Sequence, residues 1–344
     1  MNQILQGDCL EVMRGLKPEI FNTCVTSPPY YGLRDYGVDG RGWPAVEYQP
    51  MPGLPALAVS EWEGCLGMEP TPEMFVAHIV LIFREVRRLL RDDGTLWINF
   101  GDSYAANGQP GQSNLAALGQ QYRGGGHKRD DVVKPKKFIP TGLKAKDLIG
   151  IPWRVAFALQ ADGWYLRQDV IWHKPNPMPE SVRDRCTKAH EYIFLLSKSE
   201  RYHYNHDATK EPAIAGYNGS TFTDGKTAAA RKHLSTIGSK PRLEADTRNK
   251  RSVWSVATKP CSDAHFAVYP TELIEPCILA GAPVDGHVLD PFGGAGTTGI
   301  VCKRHRRNYT LIELKEEHCA IARKRIEAEP HPQMTIFDAL GETA

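Results

Sequence analysis

The feature that most constrains this chain is a strand, glycine turn and helix placed close to its C-terminus. Val288-Leu289-Asp290 reads as the end of a buried strand. Gly294, Gly296 and Gly299 then form a G-x-G-x-x-G that enters Ile300-Val301-Cys302. The next strand, Tyr309-Thr310-Leu311-Ile312-Glu313, ends in an acid 19 positions after Gly294. A carboxylate that binds ribose hydroxyls is expected roughly 20 residues on, so Glu313 is the candidate ribose ligand. Only residues 314–344 follow it, too few for the further βα units that a dinucleotide-binding sheet needs after its glycine loop. The rest of the sheet must come from the N-terminal part. Such a permuted order disfavours an NAD enzyme and suits S-adenosylmethionine (SAM), where the glycines let backbone approach the cofactor.

Some 260 residues earlier, Thr23-Cys24-Val25-Thr26 is a short β-rich run that delivers Ser27-Pro28-Pro29-Tyr30 into a loop. The two prolines have fixed φ and no N–H, so their carbonyls are held in set directions and are free to accept hydrogen bonds. Methylation of an exocyclic amino group needs such acceptors. The lone pair of that nitrogen is delocalised into the base ring until acceptors take its protons and favour a tetrahedral nitrogen. Ser27 Oγ and the Pro28 carbonyl are the candidate acceptors. The target atom is inaccessible inside a duplex, so the base must be flipped out, at a cost of roughly a few kcal/mol. Tyr30 is placed to stack on the extruded ring.

With both motifs in this order the chain resembles the β-group DNA amino-methyltransferases, in which the catalytic motif precedes the target-recognition region and the SAM motif comes last. Gln6-Gly7-Asp8-Cys9-Leu10 resembles the family's G-D-x-L segment, and Trp172-His173-Lys174-Pro175-Asn176-Pro177-Met178-Pro179-Glu180-Ser181 with Asp184-Arg185 and His190-Glu191 resembles its central segment. His265-Phe266-Ala267-Val268-Tyr269-Pro270 resembles the motif that packs against the methionine end of SAM. The resemblance implies a Rossmann-like α/β sheet in circularly permuted order with an inserted target-recognition region. It implies catalytic roles for Ser27, Pro28, Pro29 and Tyr30, and cofactor contacts from Asp8, Phe266, Pro270, Asp290, Phe292, Gly294, Gly296, Thr297 and Glu313. Double-stranded DNA is the implied partner; a homodimer and a cognate restriction endonuclease are further partners the family admits. A serine before Pro-Pro-Tyr occurs in this family mostly in enzymes that methylate cytosine N4, and Asp or Asn in those that methylate adenine N6. Cytosine N4 is therefore the expected target, with adenine N6 as the alternative.

Charge distribution places the DNA contacts. The whole chain carries a net charge of only +2, whereas residues 201–260 hold eleven Lys and Arg against five Asp and Glu. That polar stretch reads as the target-recognition insert, with Arg248, Lys250 and Arg251 as phosphate contacts. The expected division is 1–200 for the catalytic part, 201–260 for the insert, 261–330 for the SAM-binding part of the same domain, and 331–344 for a tail. At 344 residues with 41% hydrophobic content the chain can bury one large α/β core plus an insert.

Eight cysteines show no C-x-x-C pair, so no metal is expected. Pro260-Cys261 and Pro276-Cys277 are the dipeptides a ring-carbon (C5) methyltransferase would use, but neither follows a catalytic strand. Methylation of RNA or of protein glutamine is a second rival activity, and a catalytically idle DNA-binding regulator a third; intact residues 27–30 speak against the regulator. No apolar run of 18 residues and no leader is evident, which points to a cytoplasmic protein without membrane contact.

Periodicity sets the remaining expectations. A strand is expected within residues 2–16, and residues 38–72 read as a Gly- and Pro-rich loop carrying Trp43 and Trp62. Residues 73–91 have Val76, Ile79, Val80, Phe83, Val86 and Leu90 on one helical face, followed by a strand over 95–100. Residues 104–140 read as a surface loop whose Arg123, Lys128, Arg129, Lys134, Lys136 and Lys137 are candidate clamps. A helix over 147–161 leads to residues 164–174 and a pairing strand over 190–197. Most of Trp153, Trp164 and Trp172 are expected in the core, with base stacking as the alternative.

Overall fold

The computed structural model describes residues 2–32, 40–105, 142–213, 247–259 and 268–330. The loop cations at 123–137 and the residues Phe266 and Cys261 lie outside them. At its centre is an eight-stranded sheet built from β1 (Gln3–Gln6), β2 (Phe21–Thr26), β7 (Leu90–Phe100), β8 (Tyr165–His173), β9 (His190–Ser197), β12 (Val253–Ser255), β13 (His287–Asp290) and β14 (Asn308–Glu313). Their spatial order is β1-β14-β13-β2-β7-β9-β8-β12. The C-terminal pair β13 and β14 thus sits between two N-terminal strands, a permuted order. All neighbours are parallel except β9, which runs antiparallel to both β7 and β8.

Strands buried on both faces alternate their side chains between two cores. On β7, Leu96 and Ile98 face one cluster and Trp97 the other; on β9, Phe194 and Leu196 oppose Ile193 and Leu195 in the same way. The first cluster is closed by helices α1 (Cys9–Gly15), α2 (Pro72–Leu89) and α3 (Ile151–Ala161). The second is closed by α4 (Thr271–Gly281), α5 (Thr297–Arg304) and α6 (Glu316–Ala328). Thr71 caps α2 by accepting the Met74 N–H at 3.1 Å, and Pro72 fills its first turn, where no N–H is needed. All six apolar residues expected on one face between 73 and 91 are buried. Trp164 and Trp172 are buried and Trp153 packs edge-on against Phe194, so all three tryptophans belong to the core.

Three expectations need adjustment. Residues 38–72 are not simply a loop: β3 (Arg41–Trp43) pairs with β6 (Trp62–Gly64), and β4 (Val46–Tyr48) pairs with β5 (Leu57–Val59) inside it. The result is one kinked hairpin whose Trp43, Val46 and Tyr48 enter the first core. Strands of three residues are too short for their alternation to stand out from the surrounding Gly and Pro. The helix over 147–161 begins only at Ile151, because Gly150 has φ +79 and Asp102 accepts the N–H groups of Gly150 and Ile151 there. Finally, β12 falls within the expected insert yet forms the edge of the central sheet beside β8, so the C-terminal end of that stretch is built into the main body.

Candidate functional site

Parallel pairing brings the two sequence motifs together. Register partners Leu289 and Cys24 make β2 and β13 end at the same edge of the sheet, so the loops after Thr26 and Asp290 leave side by side. Ligands of open α/β sheets bind beyond the carboxyl ends of such strands. β1 pairs with β14 so that Gln6 lies opposite Glu313, which adds Gly7 and Asp8 to the same edge.

Asp290 joins the two loops from behind. It is 1% exposed, and its two oxygens accept from Thr26 Oγ1 at 2.7 Å, the Phe292 N–H at 3.1 Å, Thr298 Oγ1 at 2.6 Å and Tyr269 Oη at 3.0 Å. Burial pushes its pKa above the ordinary value despite those four donors. With these four donors on its oxygens, Asp290 fixes the shape of the turn. The turn itself closes through Gly296 N–H to the Gly293 carbonyl at 2.8 Å. Gly296 has φ +80, and a Cβ there would meet Ala322 Cβ at 2.8 Å, so both conformation and contact with α6 demand glycine.

Of the other expected cofactor residues, Phe266 lies outside the described residues and Glu313 closes the turn. Glu313 accepts the Gly294 N–H at 3.0 Å on one oxygen, and the Lys315 N–H at 3.0 Å with His318 Nδ1 at 3.2 Å on the other. Burial alone would raise its pKa, but those donors outweigh it and leave the carboxyl below the ordinary range. Phe292 and Gly294 are partly exposed, and Pro270 is buried at the N-cap of α4. Thr297, in the first turn of α5, has a buried Oγ1 with no hydrogen-bond partner among the described residues. Asp8 caps α1 by accepting the Leu10 and Glu11 N–H groups at 3.0 and 3.1 Å, and it also holds Arg41 from the hairpin. An ionised carboxylate at the end of β14, an unpartnered hydroxyl and a glycine turn fit a cofactor that brings a ribose diol and polar groups of its own.

The Ser27-Pro28-Pro29-Tyr30 loop is held by residues far away in sequence. Tyr30 Oη lies 2.8 Å from both Asn99 Oδ1 on β7 and Glu191 Oε2 on β9, and can donate its one proton to either. Ser27 Oγ is 3.4 Å from Tyr30 Oη and from Asn99 Oδ1. Asn99 Nδ2 donates to the Tyr192 carbonyl at 3.0 Å, which fixes its oxygen toward the loop. Lys174 pairs with Glu191 and sits 4.2 Å from the centre of the Trp172 ring. Lys174 and Glu191 stand in a sequence motif that gives them no task, Thr26 is legible only as the end of a strand, and nothing in the sequence marks Asn99, Thr298 or Arg41. Only the pairing of β2, β7 and β9 brings Asn99 and Glu191 to the loop.

Arg248 and Arg251 both donate to Glu211 Oε1, at 2.9 and 2.8 Å, and Lys250 Nζ lies 5.2 Å from the centre of the Trp254 ring. The three expected DNA contacts therefore cluster, with one carboxylate among them. They are not adjacent to the loop in chain order, and β11 (Thr247–Arg248) pairs with β10 (Glu211–Pro212) to hold them. Cys277 is buried in α4 with its thiol pushed well up by burial, which removes it as a nucleophile.

Residues 21–324 match the DNA methylase family of N6 and N4 type. The chain is 42% identical over 329 residues to the type II methyltransferase M.SmaI of Serratia marcescens, covering 94% of this chain and 90% of that protein. It is 42% identical over 330 residues to M.Cfr9I of Citrobacter freundii, covering 95% and 88%. Among solved structures, the cytosine-N4-specific PvuII DNA methyltransferase has the same fold, with a TM-score of 0.56 at 18% identity, covering 94% of this chain and 86% of that one. A Thermus thermophilus protein, solved in complex with SAM, gives a TM-score of 0.53 at 20% identity, covering 96% of each. The chain belongs to the DNA amino-methyltransferase family. It is a SAM-dependent DNA methyltransferase. Among the described residues no helix is long and apolar enough to cross a membrane.

Proposed function

We propose that this enzyme is a site-specific modification methylase that methylates cytosine N4 in duplex DNA, acting on a base flipped into the space before residues 27–30. Ser27 is the observation that carries this reading. It stands at the carboxyl end of β2 beside the Asp290 turn, and the family resemblance associates serine at this position with cytosine N4. Ser27 Oγ can send its proton to Asn99 Oδ1 or Tyr30 Oη, which leaves its lone pairs for an amino N–H of the base. The Pro28 carbonyl takes the second N–H, so that the nitrogen lone pair is released from the ring. Tyr30, tethered through its hydroxyl to Asn99 and Glu191, offers a ring of fixed position for the extruded base.

SAM, held by Glu313, Thr297, Phe292, Pro270 and the glycine turn, supplies an electrophilic methyl group on a sulfonium. Asp8 borders the same site, and Arg248, Lys250 and Arg251 grip phosphates. A cognate restriction endonuclease belongs to the same proposal, on the naming of the 42%-identical relatives as type II methyltransferases. The test is to methylate amplified, hence unmodified, duplex DNA, digest it to nucleosides and identify the product by mass. N4-methylcytosine is expected. Finding N6-methyladenine alone overturns the base assignment.

A further inference from the structure

A fully buried acid–histidine pair lies beneath the candidate catalytic loop and has no part in the chemistry above. Glu69 and His78 have side chains 0% exposed, with His78 Nδ1 2.9 Å from Glu69 Oε1. His78 belongs to α2. Its ring is stacked on Trp43 at 4.2 Å and on Trp62 at 5.8 Å, within 20° of parallel to each, so the hairpin tryptophans shield it, and its Nε2 has no partner among the described residues. Well-packed apolar residues would usually stabilise such a spot as well as a buried polar pair does. What an apolar residue cannot do is accept a hydrogen bond, and the second Glu69 oxygen accepts the Gly67 N–H at 2.8 Å.

Gly67 is where this pair reaches the loop. Its carbonyl accepts the Gly32 N–H at 2.7 Å, two residues after Tyr30. Its φ is +93, and a Cβ on it would stand 2.9 Å from the Tyr30 carbonyl oxygen, so the two backbones touch. A continuous path thus runs from α2 through His78, Glu69 and Gly67 to the backbone on the far side of Ser27-Pro28-Pro29-Tyr30. We propose that Glu69 is a positioning residue for that loop, acting through Gly67, with His78 holding its carboxylate in place. The proposal rests on reading residues 27–30 as the catalytic loop. Displacement of reacting groups by about 1 Å costs on the order of a hundredfold in rate, so a brace of this kind governs turnover without touching substrate.

The test compares Glu69→Ala, Glu69→Gln and Gly67→Ala with wild type in single-turnover methyl transfer at saturating SAM and amplified duplex DNA. SAM affinity is measured by calorimetry and folding by thermal melting. Glu69→Ala and Gly67→Ala should slow transfer at least about tenfold while SAM affinity stays within about twofold. Glu69→Gln keeps an acceptor for the Gly67 N–H and its amide can donate to the other His78 tautomer, so it should recover to within about threefold of wild type. A wild-type rate in folded Glu69→Ala, or a Glu69→Gln as slow as Glu69→Ala, overturns the proposal. Should Glu69→Ala fail to fold, Gly67→Ala decides, since it leaves the buried pair intact; a wild-type rate there sinks the idea. Ser27→Ala run alongside separates the two readings. If it is slow while Gly67→Ala is normal, the brace alone is wrong; if it transfers at the wild-type rate, the catalytic reading of the loop fails and the brace with it.

Discussion

The two loops that meet at the carboxyl edge of the sheet are stabilised in different ways. The turn after β13 is fixed largely by its own neighbourhood: Asp290, Gly293, Gly296 and Thr298 bond within eight residues of one another, and Glu313 closes it from the next strand. The loop after β2 has little of this. Its anchors are Asn99, Glu191 and Gly67, separated from it by roughly 35 to 160 residues. A turn specified locally can be recognised from a dozen residues and tolerates change elsewhere. A loop specified remotely depends on the whole sheet being assembled, and its geometry can be altered by residues that never meet a ligand.

The largest effect should come from the smallest change in the remotely braced loop. Ser27→Ala removes one acceptor without altering the path of the chain. It is expected to lower turnover by at least about a hundredfold, the scale found when one transition-state hydrogen bond is lost. SAM binding measured by calorimetry should be unchanged. A purified variant with near-normal turnover would discard Ser27 as an acceptor and leave the loop as scaffold only.

On the locally built side, Glu313→Ala should act on affinity instead. Losing hydrogen bonds to a charged group is worth about 1.5–3 kcal/mol, which is roughly ten- to more than a hundredfold in SAM dissociation constant. DNA affinity without SAM should not move. The lowered pKa adds a pH signature: a carboxyl depressed in the folded protein contributes stability that is present above its unfolded pKa and lost as pH falls through the folded one. The acid-side loss of melting temperature should therefore be smaller in Glu313→Ala than in wild type. An unchanged SAM affinity would move the ribose ligand elsewhere.

This contrast explains what the sequence can reveal. Strand β13, the glycine turn and β14 are readable because each step is encoded by neighbours in the chain. Ser27-Pro28-Pro29-Tyr30 is readable as a motif, but its hydroxyl tether is not, because Asn99 and Glu191 come alongside only when β7 and β9 pair in register. The hairpin over residues 41–64 is hidden by strands of three residues, and with it the reason Trp43 and Trp62 are where they are. Asp290 is readable beside the glycines, but its bonds to Thr26 and Tyr269 are not, because those residues reach it only in the fold.

A paired substitution sharpens the comparison further. Glu191→Gln keeps the shape of the side chain but weakens its hold on Tyr30 and breaks its ion pair with Lys174, and it should reduce turnover about tenfold with SAM affinity intact. Tyr269→Phe removes one of four donors to Asp290 on the locally built side. That should cost about 1 kcal/mol of stability, seen as a lower melting temperature, with methyl transfer nearly normal. Equal losses of rate in both variants would erase the distinction between the two loops.

The smallest effect concerns the cationic cluster, where a remote carboxylate again modifies what the local sequence offers. Each cation that neutralises a phosphate contributes roughly 0.9 to the slope of log affinity against log salt, so removing Arg248, Lys250 and Arg251 together could lower the slope by up to about three. Glu211 already engages both guanidiniums, and part of their charge is spent within the protein. Lys250→Ala alone should therefore account for close to one unit, and the triple variant should fall short of three. Glu211→Gln should do the opposite and steepen the salt dependence, because it frees both arginines for phosphate. Binding to a fixed duplex without SAM, measured from low to moderate salt, gives these slopes directly. A slope unmoved by all of these changes would place the DNA on another face of the molecule and confine this cluster to holding β10 against β11.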